Sequence, residues 1–196
     1  GGGIIDIDLI DHSDEIPFYY QFFVTFNTCD SMGANFINSI LEAFGHTLQD
    51  FFRRQEHLDD GDRNVEIIMC ILSNYTPECR VKVWVECPVS ELDNVDEFLD
   101  GEQFAHKFKK AVDIAHIDPY RAATHNKGIY NGIDAVVIAT GNDFRATEAA
   151  GHSYASRDGR YKSLSYVEIN EGIFRFTLEV PLALGTVGGL TSLHPL

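Results

Sequence analysis

Basic residues are scarce: 15 lysines and arginines stand against 30 aspartates and glutamates, a formal charge of −15 over 196 residues. That balance leaves few places for a basic stripe, which argues against recognition through a phosphate backbone and so against nucleic acid as a partner. Long apolar runs are missing as well. None approaches the ~20 residues that a membrane-spanning helix needs, and no charged-then-apolar leader opens the chain. No membrane partner is expected, and the expected location is the cytoplasm. The four cysteines, Cys29, Cys70, Cys79 and Cys87, include no C-x-x-C pair, and three fall in apparent strands. Reduced, buried thiols are expected rather than disulfides or metal ligands.

Several chemical signatures are absent too. The eight histidines include no i, i+4 pair with a glutamate between, and His125 and His152 stand 27 residues apart, so no metal site is expected. "DDGDRNVEI" superficially resembles a calcium loop, but Val65 stands where the sharp turn wants glycine and Ile71 where the bidentate glutamate belongs. There is no G-x-S-x-G elbow and no phosphate loop of the G-x-x-x-x-G-K-[ST] kind. An initiator methionine is also missing; a chain running from "GGG" to "GGLTSLHPL" is expected to be an internal segment of something longer.

What is present is a foldable core, with 44% apolar residues. Residues 18–28 alternate Phe18, Tyr20, Phe22, Val24 and Phe26 against intervening positions, which predicts a strand with one face in the core. Phe36, Ile37, Ile40, Leu41, Phe44, Leu48 and Phe51 then recur at threes and fours, which predicts an amphipathic helix of about four turns. "VEIIMCIL" and "RVKVWVEC" read as further strands, joined through "LSNYTPE". Phe104, Phe108, Val112 and Ala115 mark a helix halted by Asp118-Pro119. The small, apolar stretch from Ala123 to Ala155 has the profile of one long helix buried nearly all round. "SLSYVEI" and "FRFTLEV" flank Asn170-Glu171-Gly172 and predict a hairpin. A domain boundary is expected near residue 73, giving units 1–73 and 74–196.

Two constellations carry chemistry. In "DSMGAN", residues 30–35, a glycine between strand and helix would offer backbone N–H groups to an anionic phosphate at the positive end of the helix dipole. Asp30 and Asn35 could then hold ribose hydroxyls or amides. The competing reading is that Asp30 or Ser31 caps the helix, Gly33 eases the turn, and nothing binds. The second constellation, Arg121, His125, Lys127, Asn131, Asp134, Asp143 and Arg145, is too polar for an apolar segment unless its members satisfy one another or face a site. A lysine beside a carboxylate and a carboxamide is an oxyanion stabiliser; the same groups could form a structural ion-pair network. On one straight helix Asn131 and Asp143 would lie ~18 Å apart and ~120° around the axis. Either a break near Gly132 or Gly141 folds the chain back, or a second subunit supplies one of them.

These residues resemble a known family, the 3-hydroxy-3-methylglutaryl-coenzyme A (HMG-CoA) reductases, in their class II branch. "DSMGAN" looks like the family's dinucleotide motif, with Ser31 where alanine is usual, and "DPYRAATHNKGIYNGIDAVVIATGNDFRATEA" looks like its catalytic core. The similarity continues through "PLALGTVGG" and "HPL". It implies an α+β fold: a small ferredoxin-like antiparallel-sheet domain, dinucleotide-binding, in residues 1–73, and in 74–196 part of a larger, mainly helical substrate-binding domain with a long buried helix. It implies an oxidoreductase that interconverts HMG-CoA with mevalonate and free coenzyme A, through two hydride transfers with NAD(H) or NADP(H), and that works as a homodimer.

By the same resemblance Lys127 stabilises the thioester oxygen and then the mevaldyl intermediate, Asp143 hydrogen-bonds the lysine, and Asn131 positions both. Arg121 and Thr124 hold the substrate carboxylate; Asp30, Met32, Gly33, Asn35 and more weakly Asn74 line the cofactor site. The family's catalytic glutamate and flap histidine have no counterpart among the matched residues, and His194 is not that histidine, so this segment alone is expected to be inactive. Two other readings stand beside this one: a non-catalytic acidic dimerising interaction module, and an oxidoreductase for a different acyl-CoA.

Overall fold

The computed structural model describes residues 2–93 and 95–187. The protein is α+β, and its chain separates into two compact units, one of residues 2–73 with 185–187 and one of 74–184.

The first unit opens with β1 (Gly3–Asp11) paired antiparallel to β2 (Tyr20–Asn27), with an irregularity between Ile4 and Asp6. Phe22 and Phe26 of β2 reach helix α1 (Ala34–Arg53), where they meet Phe44 and Phe36 edge to face at 5.3 and 6.2 Å. Of the ferredoxin-like antiparallel sheet expected in this unit, the described residues carry these two strands. "VEIIMCIL" is extended but joins no ladder. It runs back along α1 instead: the Gln49 Nε2 donates to the Val65 carbonyl at 3.2 Å, and the Leu72 N–H donates to Asn38 Oδ1 at 3.0 Å. Asn38 thus supplies the partner that a neighbouring strand would have given. Gly45 is buried at this crossing, because a Cβ there would sit 2.7 Å from Cys70 Sγ. A single-turn helix α2 (Asp60–Arg63) precedes the segment.

The second unit is built on a three-stranded antiparallel sheet of order β3 (Arg80–Pro88), β5 (Ile173–Pro181), β4 (Ser165–Asn170). β4 and β5 form the expected hairpin, pairing Asn170 with Ile173 around Glu171 (φ 50°) and Gly172 (φ 76°), a two-residue turn with both central φ positive. Helix α3 (Gly101–Ile117) packs on the sheet through Ala105 and Val112, against Val167 and Phe174. A second cluster joins Tyr130, Tyr154, Ala155, Leu164 and Val180.

The long helix expected after Asp118 is two helices, α4 (Pro119–Ala139) and α5 (Phe144–Ala155). Nor is α4 buried all round: Ala122, Asn126, Tyr130 and Val137 form one stripe, and the opposite side is open in this chain. The break is a Schellman turn. Gly141 (φ 69°) donates to the Ile138 carbonyl and Asn142 donates to the Val137 carbonyl, both at 3.0 Å, so the last orphan carbonyls are satisfied and the chain must turn. The cysteines are free but not buried: Cys29 and Cys79 are exposed, Cys70 and Cys87 half-buried, and only Cys87 lies in a strand. Residues 185–187, which the sequence placed with the second unit, belong to the first because Thr186 and Val187 donate backbone N–H groups to the Asp30 carbonyl at 2.9 and 3.3 Å. His194 and the "HPL" ending lie outside the described residues.

Candidate functional site

In the first unit, β2 ends at Asn27, whose side-chain oxygen accepts the Cys29 N–H at 3.0 Å. Ser31 folds back on Thr28, donating both its N–H (3.2 Å) and its hydroxyl (2.9 Å) to the Thr28 carbonyl. Gly33 follows with φ 86°, and a Cβ there would lie 2.5 Å from Thr28 Cγ2, so both backbone and space demand glycine. Gly33 is the N-cap of α1, and no side chain caps it. The capping role that the sequence allowed Asp30 or Ser31 is therefore not what they do. Ser31 closes the turn. Asp30 offers its carbonyl to Thr186 and Val187, and its carboxylate is exposed with no hydrogen bond or ion pair among the described residues. Asn35 is exposed on the first turn and Met32 is half-buried. A free carboxylate, a free carboxamide and uncapped N–H groups at a helix entrance fit the ribose and phosphate parts of a dinucleotide. Asn74, exposed, begins the second unit.

In the second unit, Asp118 accepts the Tyr120 N–H at 2.9 Å and Pro119 occupies the first helical turn, which fixes where α4 starts. The core stripe then sets the azimuth of every other residue. Thr124, Lys127 and Asn131, at i, i+3 and i+7, share the side away from the core, with Arg121 nearby, and all four are exposed. Gly128 lies on the same side, with open space where a Cβ would stand. Lys127, expected among apolar neighbours, is instead in solvent in this chain, and among the described residues it bonds neither Asn131 nor Asp143. Asp143 is occupied as the N-cap of α5, accepting from Arg145 N at 3.0 Å and Ala146 N at 3.1 Å, with the Arg145 guanidinium 3.7 Å away. Of the two glycines at which the chain could have folded back, Gly141 makes the break and Gly132 continues the helix.

The remaining polar members divide. His125 shares a 2.7 Å hydrogen bond with the buried Ser165 hydroxyl, and burial, with His116 adding to it, lowers its pKa. Asp134 has one carboxylate oxygen buried without a partner; burial first, then the nearby Glu148, hold its pKa above the usual carboxylate range, against the pull of His152. Sequence reasoning passed over Asn126, which is fully buried and bonded at both ends of its carboxamide. The available signal was its place in the stripe, four residues from Ala122 and four from Tyr130.

Both constellations sit on a fold that is shared. The family model for hydroxymethylglutaryl-coenzyme A reductase matches residues 1–196. The chain belongs to this family. It is 38% identical over 170 residues to the 3-hydroxy-3-methylglutaryl-coenzyme A reductase of Archaeoglobus fulgidus, covering 85% of this chain and 34% of that protein. To the probable reductase of Borreliella burgdorferi it is 35% identical over 168 residues, covering 86% and 36%. The class II reductase of Streptococcus pneumoniae, solved bound to NADPH in open conformations, superposes over 100% of this chain and 50% of its own, with a TM-score of 0.81 and 36% identity. The chain spans about a third of the length of the curated relatives it matches and half of that solved chain.

Proposed function

We propose that this chain is the segment of an HMG-CoA reductase that carries the cofactor turn and the catalytic lysine. The observation that carries the reading is Lys127, set one helical turn from Asn131 on the open side of α4, with Thr124 and Arg121 toward the helix start. A nicotinamide cofactor, NAD(H) or NADP(H), supplies hydride; Asp30, Met32, Gly33 and Asn35 in the first unit would hold it, with Asn74 a further candidate. Lys127 would place its ammonium against the thioester oxygen of HMG-CoA as that oxygen gains charge, and again against the mevaldyl carbonyl in the second reduction, to release mevalonate and coenzyme A. Asn131 would orient the amine. Arg121 and Thr124 would take the substrate carboxylate, where a guanidinium fork matches two oxygens.

Asp143, the N-cap of α5 in the single chain, would reach a lysine across a homodimer, a state supported by the open apolar residues of α4: Tyr120, Val136 and Ile138 are 82%, 63% and 53% exposed. A cytoplasmic location is part of the same proposal; no helix among the described residues is long and apolar enough to cross a membrane. The 196-residue chain by itself is expected to show no coenzyme A-dependent NAD(P)H turnover, since groups acting as a unit leave little when divided.

One observation favours a second reading, the acidic dimerising module without catalysis: Lys127 stands in solvent with neither companion bonded to it. Lys127→Ala in the whole protein separates the two. The reductase reading expects kcat to fall by about 10²–10³ with cofactor affinity and thermal midpoint retained; a variant that keeps its rate favours the module.

A further inference from the structure

We infer that Asn126 is the positioning residue for the catalytic face of α4, an inference that rests on the proposed role of Lys127. Asn126 is 0% exposed and occupies a place in a stripe of Ala122, Tyr130 and Val137 where an apolar side chain would pack at no desolvation cost. Its carboxamide grips one stretch of backbone twice. Nδ2 donates to the Lys162 carbonyl at 2.9 Å, and Oδ1 accepts the Leu164 N–H at 3.1 Å, the pairing a neighbouring strand would make. Among side chains of this length only a carboxamide offers a donor and an acceptor in that arrangement.

The stretch it grips is itself fixed from three directions. Ser163 N donates to the Ala115 carbonyl of α3 at 3.1 Å, Lys162 N to the Ala155 carbonyl of α5 at 3.0 Å, and Glu179 N of β5 to the Leu164 carbonyl at 3.2 Å. Residues 162–165 are therefore a stationary reference, and α4 is registered on them. A second anchor lies one residue earlier, where His125 meets the Ser165 hydroxyl at 2.7 Å while His116 Nε2 of α3 holds the Ser165 carbonyl at 2.9 Å. Two adjacent anchors set both the rotation and the height of the helix.

Lys127 is the next residue, ~100° around and ~1.5 Å along. Whatever rotation or slide α4 undergoes at Asn126 is delivered to Lys127 and Asn131 as a rigid displacement. A turn of about 15° moves a group at the ~5–6 Å outer radius of the helix by roughly 1.5 Å, and a misplacement of ~1 Å at a reacting centre can cost about 10² in rate. A fully satisfied buried polar pair fixes one register where an apolar side chain would tolerate several.

The test uses the whole protein carrying Asn126→Ala, Asn126→Asp or Ser165→Ala, with Lys127→Ala alongside. For Asn126→Ala the expected result is a kcat per folded molecule lowered about tenfold to a hundredfold, with the KM for the nicotinamide cofactor within about twofold and faster hydrogen exchange at the Leu164 amide. Asn126→Asp, which keeps the acceptor and loses the donor, is expected to lie in the same direction. Should Asn126→Ala fail to fold, Ser165→Ala, which removes the His125 anchor and the 3.2 Å contact with the Ser163 hydroxyl but leaves the Asn126 grip in place, is expected to show the same split at smaller size. Exchange at Leu164 opened with kcat per folded molecule unchanged overturns the inference, as does a fall in activity that only tracks the folded fraction. An active Lys127→Ala protein overturns the reading of α4 as the catalytic helix and the inference with it; an inactive one beside fully active Asn126 and Ser165 variants overturns the inference alone.

Discussion

Glycine is required at Gly45 by a sulfur atom rather than by a turn. The residue is helical and buried, and a Cβ built on it would stand 2.7 Å from Cys70 Sγ and 3.7 Å from Ile67 Cγ2. Alanine in mid-helix gains about 0.8–1 kcal/mol over glycine from propensity alone, while forcing an extra methyl into a packed contact costs about 1–3 kcal/mol. The clash prevails because Cys70 lies on a segment pinned at both ends, by Gln49 at Val65 and by Asn38 at Leu72. Gly45→Ala is expected to destabilise the first unit by about 1–2 kcal/mol, read as a lower urea midpoint, and Cys70→Ala in the same molecule to restore part of that loss. A double variant no better than Gly45→Ala would show that the sulfur is not the obstacle. Gly33 is a different case: its φ of 86° makes any side chain strained before contact with Thr28 is counted.

At the scale of elements, the deciding feature is the Schellman turn between α4 and α5. It frees Asp143 to start a second helix instead of riding ~18 Å up the first from Asn131. Gly141→Ala forces a Cβ onto a φ of 69° and is expected to cost about 1 kcal/mol of stability. Because α5 then starts in a shifted place, kcat of the whole protein is expected to fall further than the fraction unfolded explains; activity that simply follows folding would contradict this. The break was only half legible in the sequence. Gly141 was visible as one of two places for it, but the small apolar residues on both sides read as continuous because periodicity does not register a helix that ends and restarts.

Other elements were open or closed to the sequence for equally particular reasons. The β4–β5 hairpin was legible because Asn170-Glu171-Gly172 gives a two-residue turn with few alternatives, and the end of α3 because Asp118-Pro119 stops a helix and caps the next. The strand β1 was passed over although Ile5, Asp6, Ile7, Asp8 and Leu9 alternate apolar and acidic. Residues 65–72 have strand composition yet lie unladdered against α1, because composition cannot say whether a partner is in reach. For the site, the residues on the open side of α4 were named from the sequence, whereas the buried carboxamide behind them was not: Asn126 is one of several polar residues in "THNKG", and its burial follows from the azimuth it shares with Ala122 and Tyr130. Lys127 was expected in a greasy interior, and its exposure in this chain follows from an azimuth about 100° away from the stripe of Ala122, Asn126, Tyr130 and Val137.

For the molecule as a whole, acid is expected to loosen the second unit before the carboxylates titrate. His125 is half-buried against Ser165, and its folded pKa is lowered from 6.5, by burial first and by His116 second. The unfolded chain therefore takes up a proton at higher pH than the folded one does. The stability held by the neutral imidazole is complete above about pH 6.5 and drains away as pH falls from there toward the folded pKa. Asp134 acts with the opposite sign. Its raised pKa favours the folded state most fully below 3.8 and that advantage is lost as pH rises through the folded value, so on acidification Asp134 offsets part of the loss at His125. The only tryptophan, Trp84, lies in β3 of the second unit and reports on that unit alone. Its fluorescence is expected to give a lower urea midpoint at pH 5.5 than at pH 7.5. His125→Gln, which cannot titrate there, is expected to have a smaller difference between the two pH values; an unchanged difference would mean that another group, and not the imidazole beside the Ser165 anchor, carries the acid sensitivity.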